Sequence, residues 1–345
     1  MNSVLVLATI AIILVVIFDY TNGFSDAANI IATVIASRAM TPIQAVIVVA
    51  VFEFLGPILG GTAVANAIGK FIDVSPLPQS TAMIIVLCGI VGAISWNLLT
   101  WWFGIPSSSS HALVGGLVGA TLVAAGAGYV KWGFGDLMHG KVDGVAKILV
   151  GLVLSPLIGF GLGWLLQKTM MRIFARAKPG VNKWFRRSQF VTSAFLAFSH
   201  GANDAQKSMG IITLVLLLSG QLATFAVPFW VILTCASAIT LGILSGGWRI
   251  VRTVGFGIFK VRPLHALDTQ LTAAAVISAA SILGAPVSTT HVVSSSIMGI
   301  GTAERPKAVR WGKAQEILST WIITIPGSAV VGVLCYLVSL IFYRG

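Results

Sequence analysis

The sequence predicts an all-α, polytopic membrane protein of two inverted-topology repeats, with broken helices and re-entrant hairpins. Three observations carry this. The chain of 345 residues is 57% apolar and only 9% charged, where soluble domains carry about 25% charged residues. Its apolar runs are continuous rather than alternating, and most reach the roughly 20 residues that cross a ~30 Å hydrocarbon core as a helix. Motifs of the first half also recur in the second half in the same order. Lipid offers free backbone groups no partner, so only helices or a closed barrel can span it, and the continuous runs select helices.

The elements follow in order. The first apolar run, 4–18, has no Lys or Arg before it and no cleavage pattern after it. It therefore reads as the start of a membrane unit over 4–37, not as a secretion signal. The run 43–69 comes next, then 80–104 and 106–127, which meet at "IPSSSSHALVGG" (105–116). A loop over 131–147 precedes the run 148–166. The stretch 168–187 holds Lys168, Arg172, Arg176, Lys178, Lys183, Arg186 and Arg187 and no acid. The runs 190–218 and 222–247 follow, then 269–284 and 286–302, which meet at "APVSTTHVVSSS" (285–296), and finally 315–342.

The net charge is +12, gathered in three short loops: 168–187, then Arg249, Arg252, Lys260 and Arg262, then Arg305, Lys307, Arg310 and Lys313. Short basic loops between apolar runs face the cytoplasm, so this charge reads as topogenic and not as a nucleic-acid surface. With all three inside, counting passes gives about ten to twelve membrane segments and places both termini and the loop 131–147 outside. The chain divides into a first repeat (1–167), a basic cytoplasmic linker (168–187) and a second repeat (188–345). Cys88, Cys235 and Cys335 are scattered through apolar runs, which suggests neither a disulfide frame nor a metal knot.

"NGFSDAANIIAT" (22–33) aligns with "HGANDAQKSMGI" (200–211) at an offset of 178, matching Gly23, Asp26 and Ala27 to Gly201, Asp204 and Ala205. "LGPILGG" (55–61) resembles "LGILSGG" (241–247) at 186, and Pro106, Ser108 and His111 match Pro286, Ser288 and His291 at 180. By the pass count Asp26 travels inward and Asp204 outward. Such inverted repeats, related by a pseudo-twofold axis in the membrane plane, are a mark of secondary transporters, which bind substrate near the midplane on broken helices.

The chain has ten Asp and Glu in all, and Asp19, Asp26, Glu53 and Asp204 fall in or beside apolar runs. A charge at the bilayer centre costs at least ~2.5–3.5 kcal/mol, so such groups mark ion paths. Asp19 reads as lying near a helix end. Asp26 and Asp204, related by the repeat, suit a coupling ion: sodium, which takes oxygen ligands, or a proton carried on a carboxylate. The serine runs begin at prolines, which favour a first helical turn, and Ser and Thr favour the N-cap. A helix start offers free N–H groups and partial positive charge to an anion. Two starts brought together could surround a tetrahedral oxyanion, with donors from Ser107, Ser108, Ser109 and Ser110 and from Ser288, Thr289 and Thr290. His111 and His291 either donate to the anion, shuttle protons or stiffen the hairpins. An intramembrane serine hydrolase is disfavoured, since its nucleophile stands alone in a context such as GxSxG. An oxyanion channel or a divalent metal-ion carrier remains as the alternative.

These motifs resemble the duplicated signatures of the inorganic phosphate transporter (PiT) family, compact bacterial type, over about 19–125 and 190–340. The resemblance implies a transporter and not an enzyme. It implies phosphate uptake across the cell membrane with sodium or protons, commonly by a homodimer in the bilayer. No cofactor is implied beyond the coupling ion, although some bacterial members are thought to carry phosphate as a neutral metal complex. The family's aspartates fall on Asp26 and Asp204, its asparagines on Asn29 and Asn203, and an acid found in some members on Glu53; sodium would sit at Asp26 and Asp204. Asn22 and Ser25 belong to the first motif and are further candidates. Here the first motif reads Phe24-Ser25 where Ala-Asn is usual, and Gln206-Lys207 stands where the first half has Ala28-Asn29. Gln206 is assigned to the phosphate, and Lys207 either balances an aspartate or meets the phosphate.

Overall fold

The computed structural model describes residues 3–137, 139 and 142–342. The expectation of external termini and part of the loop 131–147 therefore fall on residues outside the described ones. The first half comprises α1 (Ser3–Ala36), α2 (Pro42–Leu59), the short α3 (Ala63–Ile68), α4 (Gln79–Phe103), α5 (Ser109–Ala124), the one-turn α6 (Phe134–Leu137) and α7 (Gly144–Ile173). The second comprises α8 (Val181–Leu218), α9 (Phe229–Ser245), the short α10 (Trp248–Arg252), α11 (Pro263–Ile282), α12 (Thr289–Glu304) and α13 (Trp311–Phe342). Among the described residues extended pairing is limited to one bridge, Ile72 with Val130.

Among the described residues five helices are long and apolar enough to cross a membrane alone, and a sixth if α9 is joined to its continuation Trp248–Gly257, bent by 62°. This is fewer than the pass count, and the reason is physical. α5 and α12 have 16 residues each, roughly 24 Å of helix, too short for the ~30 Å core. They are second arms of the hairpins α4–α5 and α11–α12. α8 carries buried polar and charged residues along its middle, which lowers its hydropathy but not its burial. The basic stretch 168–187 is mostly helix: α7 runs to Ile173 and α8 begins at Val181, so its basic side chains other than Arg176 and Lys178 sit on helix ends, where they can extend to water.

Local chemistry sets the boundaries. Thr41 accepts from the Gln44 amide, the Gln44 side chain accepts from the Thr41 amide, and Pro42 opens α2, a capping box with proline in the first turn. Both LGxxxGG motifs end a helix at their double glycine, α2 at Leu59 and α9 at Ser245. The two hairpins turn at Gly104 (φ 67°) and Gly284 (φ 62°), a conformation open to glycine at little cost.

The halves interlock. α1 packs on α9 as α8 packs on α2, and α5 packs on α13 as α12 packs on α7. α1 and α8, the repeat-equivalent helices, run antiparallel past each other: Asn22 meets Asp204, Asp26 meets His200, and Ser37 meets Gln189. Consequently the first half of α1 (Ala8, Val15, Phe18) shares an apolar core with the end of α8 (Ile211, Val215), while the second half of α1 (Ala27, Ile31) shares another with the start of α8 (Leu196, Ala197). The polar site lies where the helices cross.

The crossings depend on glycine. A methyl group at Gly56 would lie 2.4 Å from the Phe198 carbonyl oxygen, and one at Gly242 would lie 2.2 Å from that of Tyr20. These are the same contact in the two halves, and small residues are what let membrane helices approach so closely. Overpacking costs ~1–3 kcal/mol, so Gly56→Ala and Gly242→Ala should each lower the melting temperature of the purified protein in detergent. Melting unchanged in both would contradict the close approach.

Candidate functional site

The site begins with α1. Asn22, Ser25, Asp26 and Asn29 share one stripe of the helix at i, i+3, i+4 and i+7 spacing, and all four line a small cavity. Asn97, Thr100, Pro106, Ser107 and Ser109 of the α4–α5 hairpin, Ile250 of α10 and Thr290 of α12 complete its wall. Both serine starts therefore meet the α1 carboxylate, though unequally.

Ser108 and Ser288 are the N-caps, accepting from the His111 and His291 amides at 3.2 and 3.3 Å. Each proline lies two residues before its cap rather than in the first helical turn, since the helices start at Ser109 and Thr289. Ser107 Oγ shares a hydrogen bond with Thr100 Oγ1 at 2.8 Å. Ser110 donates to the Val287 carbonyl at 3.0 Å, tying one hairpin to the other. Thr290 Oγ1 donates to Asp26 Oδ1 at 2.9 Å and accepts from Asn29 Nδ2 at 2.8 Å. Thr289 is buried and does not line the cavity, although its repeat equivalent Ser109 does. His111 and His291 face each other with ring centroids 4.7 Å apart, and His291 stacks on Trp321. They pin the two helix starts together and take no part in the cavity wall.

Behind this wall lies a buried charge cluster. His200 Nδ1 is 2.7 Å from Glu53 Oε1, and its Nε2 lies 3.7 Å from Asp26 Oδ2 and 3.9 Å from Asp204 Oδ2. Asp26, His200 and Asp204 offer ligand atoms within 4.8 Å of one another. With Nδ1–H donating to Glu53, Nε2 and two carboxylates face one gap, and a positive charge there, a proton or a metal ion, would relieve their repulsion. Asn22 Nδ2 donates to Asp204 Oδ2 at 3.3 Å. Lys207 Nζ stands 2.8 Å from Asp204 Oδ1, a charge contact rather than an aligned hydrogen bond.

Other candidates sit elsewhere. Gln206 accepts from the Val64 and Ala65 amides and so caps the start of α3, away from the cavity. Asn203 donates to Ser281 Oγ and holds the turn of the α11–α12 hairpin. Asp19 is not near a helix end: it is fully buried in mid-α1, and neither of its carboxylate oxygens has a hydrogen-bond partner. Sequence reasoning missed His200, Asn97 and Thr100. His200 was within reach, because the 178 offset pairs it with Asn22. Asn97 and Thr100 left a fainter sign, two polar residues three apart near the end of a largely apolar helix.

A bundle of long apolar helices with carboxylates, asparagines and hydroxyls gathered at its centre defines a multi-pass membrane transporter. The chain matches the phosphate transporter family over residues 22–332, and it belongs to that family. It is similar to a probable low-affinity inorganic phosphate transporter of Bacillus subtilis (strain 168), 44% identical over 98% of each chain. It is also similar to one of Rhizobium meliloti (strain 1021), 44% identical over 92% of each. A solved sodium-dependent phosphate transporter superposes with a TM-score of 0.83 at 26% identity, covering 98% of this chain and 100% of that one. The family and these relatives are transporters, not enzymes.

Proposed function

We propose that the protein takes up inorganic phosphate by symport with sodium or protons, by alternating access around the crossing of α1 and α8. The observation that carries this is the shared wall: Asn22, Asp26 and Asn29 face the same cavity as Ser107, Ser109 and Thr290. Hydroxyls and open helix starts suit the oxyanion, and the carboxylate cluster suits the cation, so one cavity can make each ligand favour the other's binding. Phosphate lies against Ser107, Ser109, Thr290, Asn97 and Thr100, and the coupling ion lies between Asp26 and His200. The neighbouring sodium-dependent structure supports sodium, and the buried histidine supports protons. The deciding experiment is phosphate uptake into proteoliposomes with sodium and pH gradients imposed separately. Accumulation driven by either gradient is expected. Equilibration that neither gradient can drive uphill would indicate an oxyanion channel instead.

The antiparallel contacts of α1 with α8 support repeats inverted in the membrane, with the basic helix ends in the cytoplasm of a plasma-membrane protein. A homodimer in the bilayer fits the family resemblance. In a background without Cys88, Cys235 and Cys335, a cysteine at Lys178 should be labelled only from the cytoplasmic side and one at Asp136 only from outside. Labelling of both from one side would overturn the inverted arrangement.

A further inference from the structure

Lys207 breaks the equivalence of the two halves in charge. The offset of 178 carries Asp26 onto Asp204 and Asn29 onto Lys207. In both halves the residue three positions after the aspartate reaches back to Oδ1 at the same separation: Asn29 Nδ2 at 2.8 Å and Lys207 Nζ at 2.8 Å. One partner is a neutral amide and the other an ammonium.

The two aspartates are left in different states. Asp26 Oδ1 takes only neutral donors, from Asn29 and Thr290, and its Oδ2, together with Asn22 Oδ1 and Asn29 Oδ1, is buried without a hydrogen-bond partner. All three residues line the cavity. Unpartnered buried oxygens beside a negative charge are the surroundings a desolvated cation requires. Asp204 shares the gap at His200 through its Oδ2 but has no second opening onto the cavity. Its Oδ1 faces Lys207, its Oδ2 accepts from Asn22, and it does not line the cavity. Lys207 is itself fully buried and does not line the cavity that holds Ser107, Ser109 and Thr290. A buried ammonium persists in a membrane where an acid compensates it.

We propose that Lys207 is a resident cation. Its ammonium takes, at Asp204, the place of the Asn29 amide at Asp26 and supplies there the positive charge that a transported cation supplies at Asp26, so two cation sites are reduced to one. Lys207 is thereby a determinant of coupling stoichiometry and not a phosphate ligand. This rests on the symport reading above and adds that each phosphate travels with one positive charge fewer than a symmetric carrier would move.

The test is Lys207→Asn, which copies Asn29. Wild type and variant are reconstituted, and the charge moved per phosphate is read from the membrane potential that nulls phosphate flux at known gradients. This readout does not depend on whether the cation is sodium or a proton. The variant should move one more positive charge per phosphate, and its rate should depend more steeply on cation concentration. An unchanged charge ratio in a transporting variant overturns the proposal. So does a phosphate half-saturation raised tenfold at an unchanged ratio, which would make Lys207 a phosphate ligand. If the variant folds but does not transport, its melting in detergent is titrated with sodium chloride against choline chloride, and with pH. It should gain a cation-dependent stabilisation that the wild type lacks, and a response equal to wild type's overturns the proposal equally. Absence of phosphate uptake by the wild type would instead defeat the transport reading and leave the melting comparison standing.

Discussion

Asp26→Asn is expected to abolish accumulation of phosphate against its gradient, while the protein still inserts and melts near the wild-type temperature. Asn can keep one hydrogen bond with Thr290 or Asn29, but the negative charge that attracts the coupling ion is gone. No Lys or Arg pairs with Asp26, and His200, which faces its Oδ2, keeps Glu53 as a partner, so its neutralisation leaves no opposite charge stranded. Asp204→Asn should also abolish transport, but with a second effect. It leaves Lys207 buried without its carboxylate, and breaking a buried ion pair from one side costs ~3–5 kcal/mol. Expression and thermal stability should therefore fall in Asp204→Asn and not in Asp26→Asn. Gradient-driven uptake close to wild type in both variants would remove the carboxylates from the coupling mechanism.

The next largest effect is expected at the hydroxyls. A hydrogen bond to a charged acceptor is worth about 1.5–3 kcal/mol, roughly a ten- to hundredfold change in affinity. Ser107→Ala and Ser109→Ala should each raise the phosphate concentration for half-maximal uptake by about that factor, because both side chains line the cavity. Combined, they should be non-additive, as expected for groups that share one ligand. Thr289→Ala should matter much less. The repeat pairs Thr289 with Ser109, yet only Ser109 reaches the cavity wall, so the pairing does not extend to function. Phosphate binding to purified single and double variants at fixed sodium and pH decides the matter. Affinities unchanged in all of them would mean that the hydroxyls only cap and pack helices.

The contrast between Ser109 and Thr289 shows where the sequence is legible. The membrane class, the helical nature of the apolar runs, the duplicated motifs and the capping roles of Ser108 and Ser288 were open to the sequence. Each is a local signal: a run of apolar residues, a hydroxyl beside a helix start, or a spacing repeated at a constant offset. The place of Asp26 on the cavity wall was legible for a related reason, since a carboxylate in an apolar run is costly and so stands out. What the sequence could not supply is which polar atoms meet. α1 and α8 are remote in the chain and cross in antiparallel fashion on close glycine contacts made by α9 and α2. That crossing brings His200 to Asp26 and Glu53 and sends Gln206 to cap α3. It also turns Lys207 onto Asp204 and leaves Asp19 buried without a hydrogen-bond partner. Helix identity follows from composition and periodicity along the chain. The partners of a buried charge follow from the angle and depth at which two helices cross, and only tertiary packing sets those.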